Sequence, residues 1–105
     1  MEPLNVQLSG FKDIDAAAMS DVNKLLSTYA HKISEVAEQP EMLKLKLERV
    51  HKRPKSEIYQ VHGMLLDKGK KYNAVALHRN LLTAVDTVLE RLDRDLRDIH
   101  SRVKR

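Results

Sequence analysis

Residues 82–105 place arginines beside carboxylates along one predicted helix. Glu90 precedes Arg94 by four residues and Asp93 precedes Arg97 by four, the spacing and the acid-first order that favour helical ion pairs. Each such pair contributes only about 0.2–0.5 kcal/mol. An arginine could therefore exchange its carboxylate for a phosphate, whose oxygens a guanidinium holds in a two-point fork. Two interpretations remain open: a solvated, self-paired face, or a surface that binds an acidic partner.

The net charge of +4 is concentrated in the middle of the chain. Residues 41–80 hold ten Lys or Arg and four Asp or Glu, whereas residues 1–40 hold three Lys and six acids. A localised basic surface indicates a polyanionic partner, and nucleic acid is favoured over membrane.

Lysines on strands also protect sheet edges from aggregation. That explanation accounts for Lys44 and Lys46 about as well as RNA binding does. It accounts poorly for Lys52, Arg53 and Lys55, because we place these three in a loop. Contact with an RNA backbone is therefore the interpretation we favour for the basic set as a whole.

No spacing in the sequence supports catalysis or metal binding. The five histidines are dispersed without an HExxH motif, cysteine is absent, and neither a P-loop nor GxGxxG occurs. We therefore expect no enzyme, cofactor, metal or small-molecule substrate. Because Tyr29, Tyr59 and Tyr72 fall on predicted core stripes, base-stacking platforms are not evident, and recognition should depend on phosphates and RNA shape.

Length and composition predict one domain over residues 1–105. The chain has 42% hydrophobic and 32% charged residues, which is typical of a folded protein. The opening "MEPLNVQLSG" lacks the pattern of a signal peptide. No apolar stretch approaches the roughly 20 residues that a membrane span needs.

Alternating patterns predict the strands. Val6 and Leu8 alternate in a short first strand. Leu43, Leu45 and Leu47 alternate in a second, which is typical of a half-buried strand of an antiparallel sheet. A loop, "HKRPKS", precedes a hairpin whose turn is "DKGK". The inward positions that we predict in the hairpin are Tyr59, Val61, Leu65, Tyr72, Ala74 and Ala76.

Two amphipathic helices complete the order β-α-β-β-β-α. Asp13 or Asp15 could cap the first helix and Asn80 the second, and Pro40 ends the first helical region. We predict an α+β fold in which both helices cover one face of a four-stranded sheet, while the other face is polar and basic. Gly63 would let a helix approach the sheet closely. The predicted helix stripes are Met19, Val22, Leu26, Tyr29, Ile33 and Val36, then Leu81, Val85, Val88, Leu92, Leu96, Ile99 and Val103.

The segments "VQLSG", "LKLKLERVHK" and "YNAVALHRNLLTAVDTVLERLDRDL", in this order, resemble the ribosome hibernation-promoting factor family, also called ribosome-associated inhibitors. The likeness is most specific over residues 72–96 and is to a short-form member. The sequence departs from the family at Leu82, where Tyr is usual, and at Asp93, Asp95 and Asp98, in a helix that is often richer in Lys. The residues that match the family pattern are Ala74, Ala76, Asn80, Ala84, Val85, Asp86, Leu92, Arg94 and Leu96.

The resemblance implies a cytoplasmic protein without catalytic activity that binds the small ribosomal subunit and its rRNA near the decoding centre. There it would occupy the channel used by mRNA and tRNA and keep the ribosome idle during dormancy or stress. The alternative is a protein-interaction module that dimerises through its sheet without binding ribosomes, and a weak homodimer is open in either case. The residues that we expect to contact RNA are Arg91, Arg94, Arg97, Lys52, Arg53, Lys55, Arg79 and Arg102.

Overall fold

A computed structural model of the protein describes the backbone of residues 4–53 and 56–103, and the side chains of residues 4–50 and 57–101. The order of elements is the predicted β-α-β-β-β-α. The elements are β1 (Asn5–Ser9), α1 (Ala16–Val36), β2 (Pro40–Arg53), β3 (Ser56–Asp67), β4 (Lys70–His78) and α2 (Leu81–Val103).

The four strands form one sheet in the order β1-β2-β3-β4. The antiparallel pairing predicted for β2 is confirmed with β3, but β1 runs parallel to β2. The sheet is therefore mixed, because α1 returns the chain to the end at which β1 began.

The helices pack on one face of this sheet. α2 packs on β3 and β4, and α1 packs against α2. The predicted inward side of β2 is confirmed, since Leu43 and Leu45 are fully buried and Leu47 is 4% exposed. The hairpin residues that we predicted to face inward are also buried, except for Tyr59, which is half-buried against the core.

Local sequence signals begin both helices as predicted. The Asp15 carboxylate accepts a hydrogen bond from the Ala18 amide at 2.8 Å, and the Asn80 side chain accepts one from the Thr83 amide at 3.0 Å. These contacts satisfy backbone donors that a helix start otherwise leaves without partners. α1 ends at Val36, before Pro40.

Gly63 brings α2 close to the sheet, as predicted. A Cβ atom added at Gly63 would overlap Val88 of α2 and lie 3.1 Å from Leu92 Cδ1. The missing side chain thus sets the distance between β3 and α2.

The β3–β4 turn is anchored to the segment that joins α1 to β2. Asp67 is only 3% exposed, and its carboxylate accepts hydrogen bonds from the Gln39 amide at 2.8 Å and the Glu38 amide at 3.4 Å. Lys68 bonds Glu38 at 2.9 Å, and this contact lowers the pKa of the Glu38 carboxyl. The charges at the "DKGK" turn are therefore used in holding the sheet together.

The predicted "HKRPKS" loop is shorter than expected. β2 continues through Arg53, which pairs with Ser56 of β3 after a register shift. Lys52 and Arg53 therefore lie at the end of a strand, which corrects their placement in a loop. Within "HKRPKS", the described backbone leaves out only residues 54–55.

Candidate nucleic-acid interface

The positive charge lies in the strands and their connections. α1 holds two Lys and two acids, and α2 holds four Arg and five acids. The helices together therefore carry a net charge of −1, whereas residues 41–80 carry +6. An acidic partner is attracted to the sheet side of the molecule more than to the helix side.

Lys44 and Lys46 lie near the centre of the sheet face that points away from the helices. β2 is flanked by β1 and β3, so it is an interior strand. Edge protection, which explained these lysines as well as RNA binding did, therefore does not apply to them. Lys46 bonds Glu48 at 3.2 Å in an exposed pair. Such a pair is worth at most about 1 kcal/mol, so it leaves the ammonium group available to a phosphate.

The face of the sheet that carries no helices, called here the open face, is only partly basic. Its polar part lies along β1 and β2, where Gln7 pairs with Lys44 and Ser9 with Lys46. Large apolar side chains are exposed on β4, where Val75 is 39% and Leu77 is 53% exposed. The expectation of a polar, basic face is therefore correct along β1 and β2, whereas β3 and β4 present a mixture of apolar and polar side chains. The side chains of the open face are Asn5, Gln7, Ser9, Met42, Lys44, Lys46, Glu48, Val50, Ile58, Gln60, His62, Met64, Leu66, Lys71, Asn73, Val75 and Leu77.

A shallow depression of about 200 Å³ lies on the open face. Lys44 and Lys46 line one side of it, and Asn73 and Val75 line the other. His62 lies between them and shares a hydrogen bond of 2.7 Å with the Gln60 amide nitrogen. The depression thus offers two cations and polar groups on a rigid strand scaffold, which suits an RNA backbone.

Arg91 reaches the β4 edge of the sheet from α2. Its Nη1 donates a hydrogen bond of 3.0 Å to the carbonyl oxygen of Val75 in β4. Because β4 is an edge strand, its outward carbonyls face no further strand, and Arg91 satisfies one of them. Arg91 is exposed, and a guanidinium has further donors beyond the one that makes this bond.

Arg94 and Arg97 point progressively away from the sheet, toward α1. Arg94 bonds Glu90 at 2.6 Å, and Arg97 bonds Asp93 at 3.1 Å, so these two predicted ion pairs are formed. Arg97 also donates to the carbonyl oxygen of Lys32 in α1 at 3.1 Å. These side contacts hold Arg97 at the seam between the helices, whereas Arg94 has only one exposed carboxylate to exchange.

Arg79 and the backbone of Lys52 and Arg53 lie toward the end of the molecule where the β2–β3 hairpin closes. Arg102 closely follows His100 at the opposite end of α2, near Glu38 and the β3–β4 turn. Arg79 is exposed directly after β4, at the level of Tyr59 and Arg49. For Lys52, Arg53 and Arg102 only the backbone is described, and Lys55 lies outside the described residues. The eight predicted contacts therefore do not form one cluster: Arg91 lies beside the sheet and Arg97 lies against α1.

Sequence reasoning missed the role of Asp86. Its carboxylate accepts a hydrogen bond from the Tyr29 hydroxyl at 3.0 Å, which joins α1 to α2. Burial, together with this bond, raises the pKa of Tyr29 to about 12. The only sequence signal was an acid within an apolar stripe, and that signal does not identify its partner in the other helix.

Aromatic rings are absent from the described open face. Tyr72 is 6% exposed on the helix side of β4, and Tyr29 and Tyr59 pack against the core. Stacking on unpaired bases is therefore not what this face provides. Within the described residues, no group of three or more His, Asp or Glu side chains is placed to hold a metal ion. In the same part of the chain, no helix has the length and apolar character needed to cross a membrane.

A scan against protein-family models found no match, and neither did a search of curated proteins. Solved structures do match. The N-terminal domain of Protein Y from Thermus thermophilus is 16% identical, with a TM-score of 0.65, over 93% of this chain and 99% of that chain. A ribosomal subunit interface protein from Coxiella burnetii is 15% identical, with the same TM-score and the same coverage. The protein described here therefore has the fold of these two structures.

Proposed function

We propose that this protein binds the small ribosomal subunit in the cytoplasm and inhibits translation during dormancy or stress. It would do so by occupying the channel used by mRNA and tRNA, without catalysing a reaction. The observation that carries the ribosome as target is the fold shared with a ribosomal subunit interface protein over 93% of the chain. The family resemblance of residues 72–96 points to the same target.

The distribution of charge suggests which surface makes the contact. Lys44 and Lys46 lie on the open face, Arg91 bonds the β4 edge and Arg79 follows β4. These cations belong to the sheet and its edge, and the chain's positive charge is concentrated in residues 41–80. Arg94 points away from the sheet, so it would take part only where the RNA extends over α2, after exchanging Glu90 for a phosphate. Contacts of this kind read the RNA backbone and its shape, so the partner should be a folded RNA such as rRNA.

The test is co-sedimentation of the protein with purified small subunits, followed by inhibition of translation in a cell-free system. We expect Lys44→Glu/Lys46→Glu and Arg91→Glu/Arg94→Glu each to weaken binding by about tenfold or more, because each replaces two phosphate-binding cations with acids. Inhibition of translation should fall in parallel.

The matched control is Lys12→Glu/Lys24→Glu, which changes the net charge equally at exposed positions before and within α1. This variant should bind nearly as well as the wild type. If the control loses as much binding as the site variants, the protein is attracted by its net charge alone. If both site variants bind as well as the wild type, the assigned surface is refuted. A wild-type protein that fails to sediment with small subunits would refute the ribosomal function itself.

A further inference from the structure

The two edges of the sheet are protected to different degrees. β4 carries Lys70 and Lys71, and Arg91 covers its Val75 carbonyl. β1 has no charged residue and no proline, its register with β2 is unbroken, and all five of its residues are exposed. Natural edge strands usually carry charges, prolines or bulges that prevent pairing with another chain. β1 carries none of these.

β1 also leaves apolar side chains uncovered on the helix side of the sheet. Val6 and Leu8 pair with Leu43 and Leu45 of β2, which are fully buried. Val6 is nevertheless 38% exposed and Leu8 is 37% exposed. A further strand beside β1 would cover both side chains and would satisfy the outward N–H and C=O groups of β1.

We propose that the occupant of this edge is β1 of a second copy of the chain, paired antiparallel across a two-fold axis at Gln7. The two four-stranded sheets would then form one continuous sheet, with the helices of both copies on the same side. The pairing edge lies one strand away from the proposed RNA contacts Lys44 and Lys46, and the pairing does not require them.

The side chains of β1 are complementary to themselves in this register. Val6 lies opposite Leu8 of the second copy, so the exposed apolar side chains pair on the helix side. Asn5 lies opposite Ser9, and Gln7 lies opposite itself, so polar side chains pair on the open face. A register shifted by one residue would place apolar side chains against polar ones.

Charge permits the pairing although each chain carries +4. β1 itself is neutral, and the nearest lysines, Lys44 and Lys46, lie on β2. Three strand spacings would separate Lys44 from its counterpart, about 14 Å, whereas the screening length at physiological salt is about 8 Å. The arginines of α2 lie over the opposite edge. Self-association should therefore persist when salt is raised.

The test is light scattering and sedimentation velocity on the full chain over a range of concentrations. The wild type should form a dimer. Gln7→Lys and Gln7→Glu should each be monomeric, because each places like charges opposite each other on the axis. An equimolar mixture of these two variants should restore a dimer, because position 7 then pairs Lys with Glu.

Leu77→Lys is the matched control, since it introduces the same charge at an exposed position of the other edge strand. It should dimerise like the wild type, and circular dichroism should show that every variant is folded. A wild type that stays monomeric would overturn the proposal. If Leu77→Lys is monomeric and Gln7→Lys still dimerises, the dimer contact lies on the open face instead. Monomeric variants whose mixture stays monomeric would refute pairing at Gln7.

Discussion

The hydroxyl of Tyr29 and the carboxylate of Asp86 form a contact between residues 57 positions apart in the chain. Asp86 is half-buried, and a carboxylate in such a place needs a donor. Tyr29 supplies it from α1 at 3.0 Å. Asp86 thus has a structural role in joining the helices.

Replacing Tyr29 with Phe should lower the free energy of unfolding by about 1–2 kcal/mol, because a hydrogen bond to a charged group is lost and Asp86 keeps its burial. Urea unfolding at neutral pH measures the loss. Tyr59→Phe removes the hydroxyl of another half-buried tyrosine, and it should lower the free energy of unfolding by less. Equal losses in the two variants would mean that the bond to Asp86 contributes nothing.

The same contact predicts a dependence of stability on alkaline pH. Burial and the bond to Asp86 raise the pKa of Tyr29 from 10.0 to about 12 in the folded protein. The folded state therefore holds this proton more tightly, so the contribution is complete below pH 10 and is lost between pH 10 and 12. Tyr29→Phe should lose stability less steeply over this range. Burial also raises the pKa of Tyr72, and this accounts for a remaining slope in the plot of stability against pH.

At the scale of the elements, β3 and α2 pack closely because Gly63 has no side chain. Gly63→Ala should destabilise the fold by about 1–3 kcal/mol, because the new methyl overlaps Val88 and the helix must move. Urea unfolding again measures the loss. In Gly63→Ala/Val88→Ala the overlap is relieved, so the double variant should be more stable than the two separate losses predict. Strict additivity would contradict this account.

Much of the element structure follows from local patterns. The alternation at Leu43, Leu45 and Leu47 predicts the buried side of β2, and Asp15 and Asn80 predict the helix starts. The end of β2 could not be predicted, because the alternation fades near Arg49 while pairing with β3 continues to Arg53. Backbone pairing depends on the partner strand, and a single strand's pattern does not contain it.

At the scale of the whole molecule, the order of strands determines which role can be assigned to Lys44 and Lys46. Lys44 and Lys46 are equally compatible with an edge strand or a central strand until β1 is known to lie outside β2. The contact of Arg91 with the Val75 carbonyl likewise arises only when α2 is placed over the β4 edge. Charge could be counted from the sequence, but its division between sheet and helices required the fold.

The two proposed associations of the molecule should respond oppositely to salt. Binding to small subunits depends on cations meeting phosphates, so its affinity should fall steeply as salt rises. Pairing of β1 strands depends on backbone hydrogen bonds and apolar contact, so the dimer should persist. Sedimentation with subunits and light scattering over one salt series measure both. A dimer that dissociates in parallel with the ribosomal complex would show that both rest on charge.

The parallel pairing of β1 with β2 also has a consequence for the order in which the protein is made. β1 is synthesised before the other strands of the sheet, but its partner strand begins only at Pro40, after the whole of α1. The hairpins β2–β3 and β3–β4 join neighbours in the chain, whereas β1 must wait for a strand that does not yet exist. A nascent chain therefore presents β1 with both of its edges unpaired. The neutral composition that suits β1 to pairing in the finished fold is thus a hazard during synthesis, when neighbouring nascent chains are close.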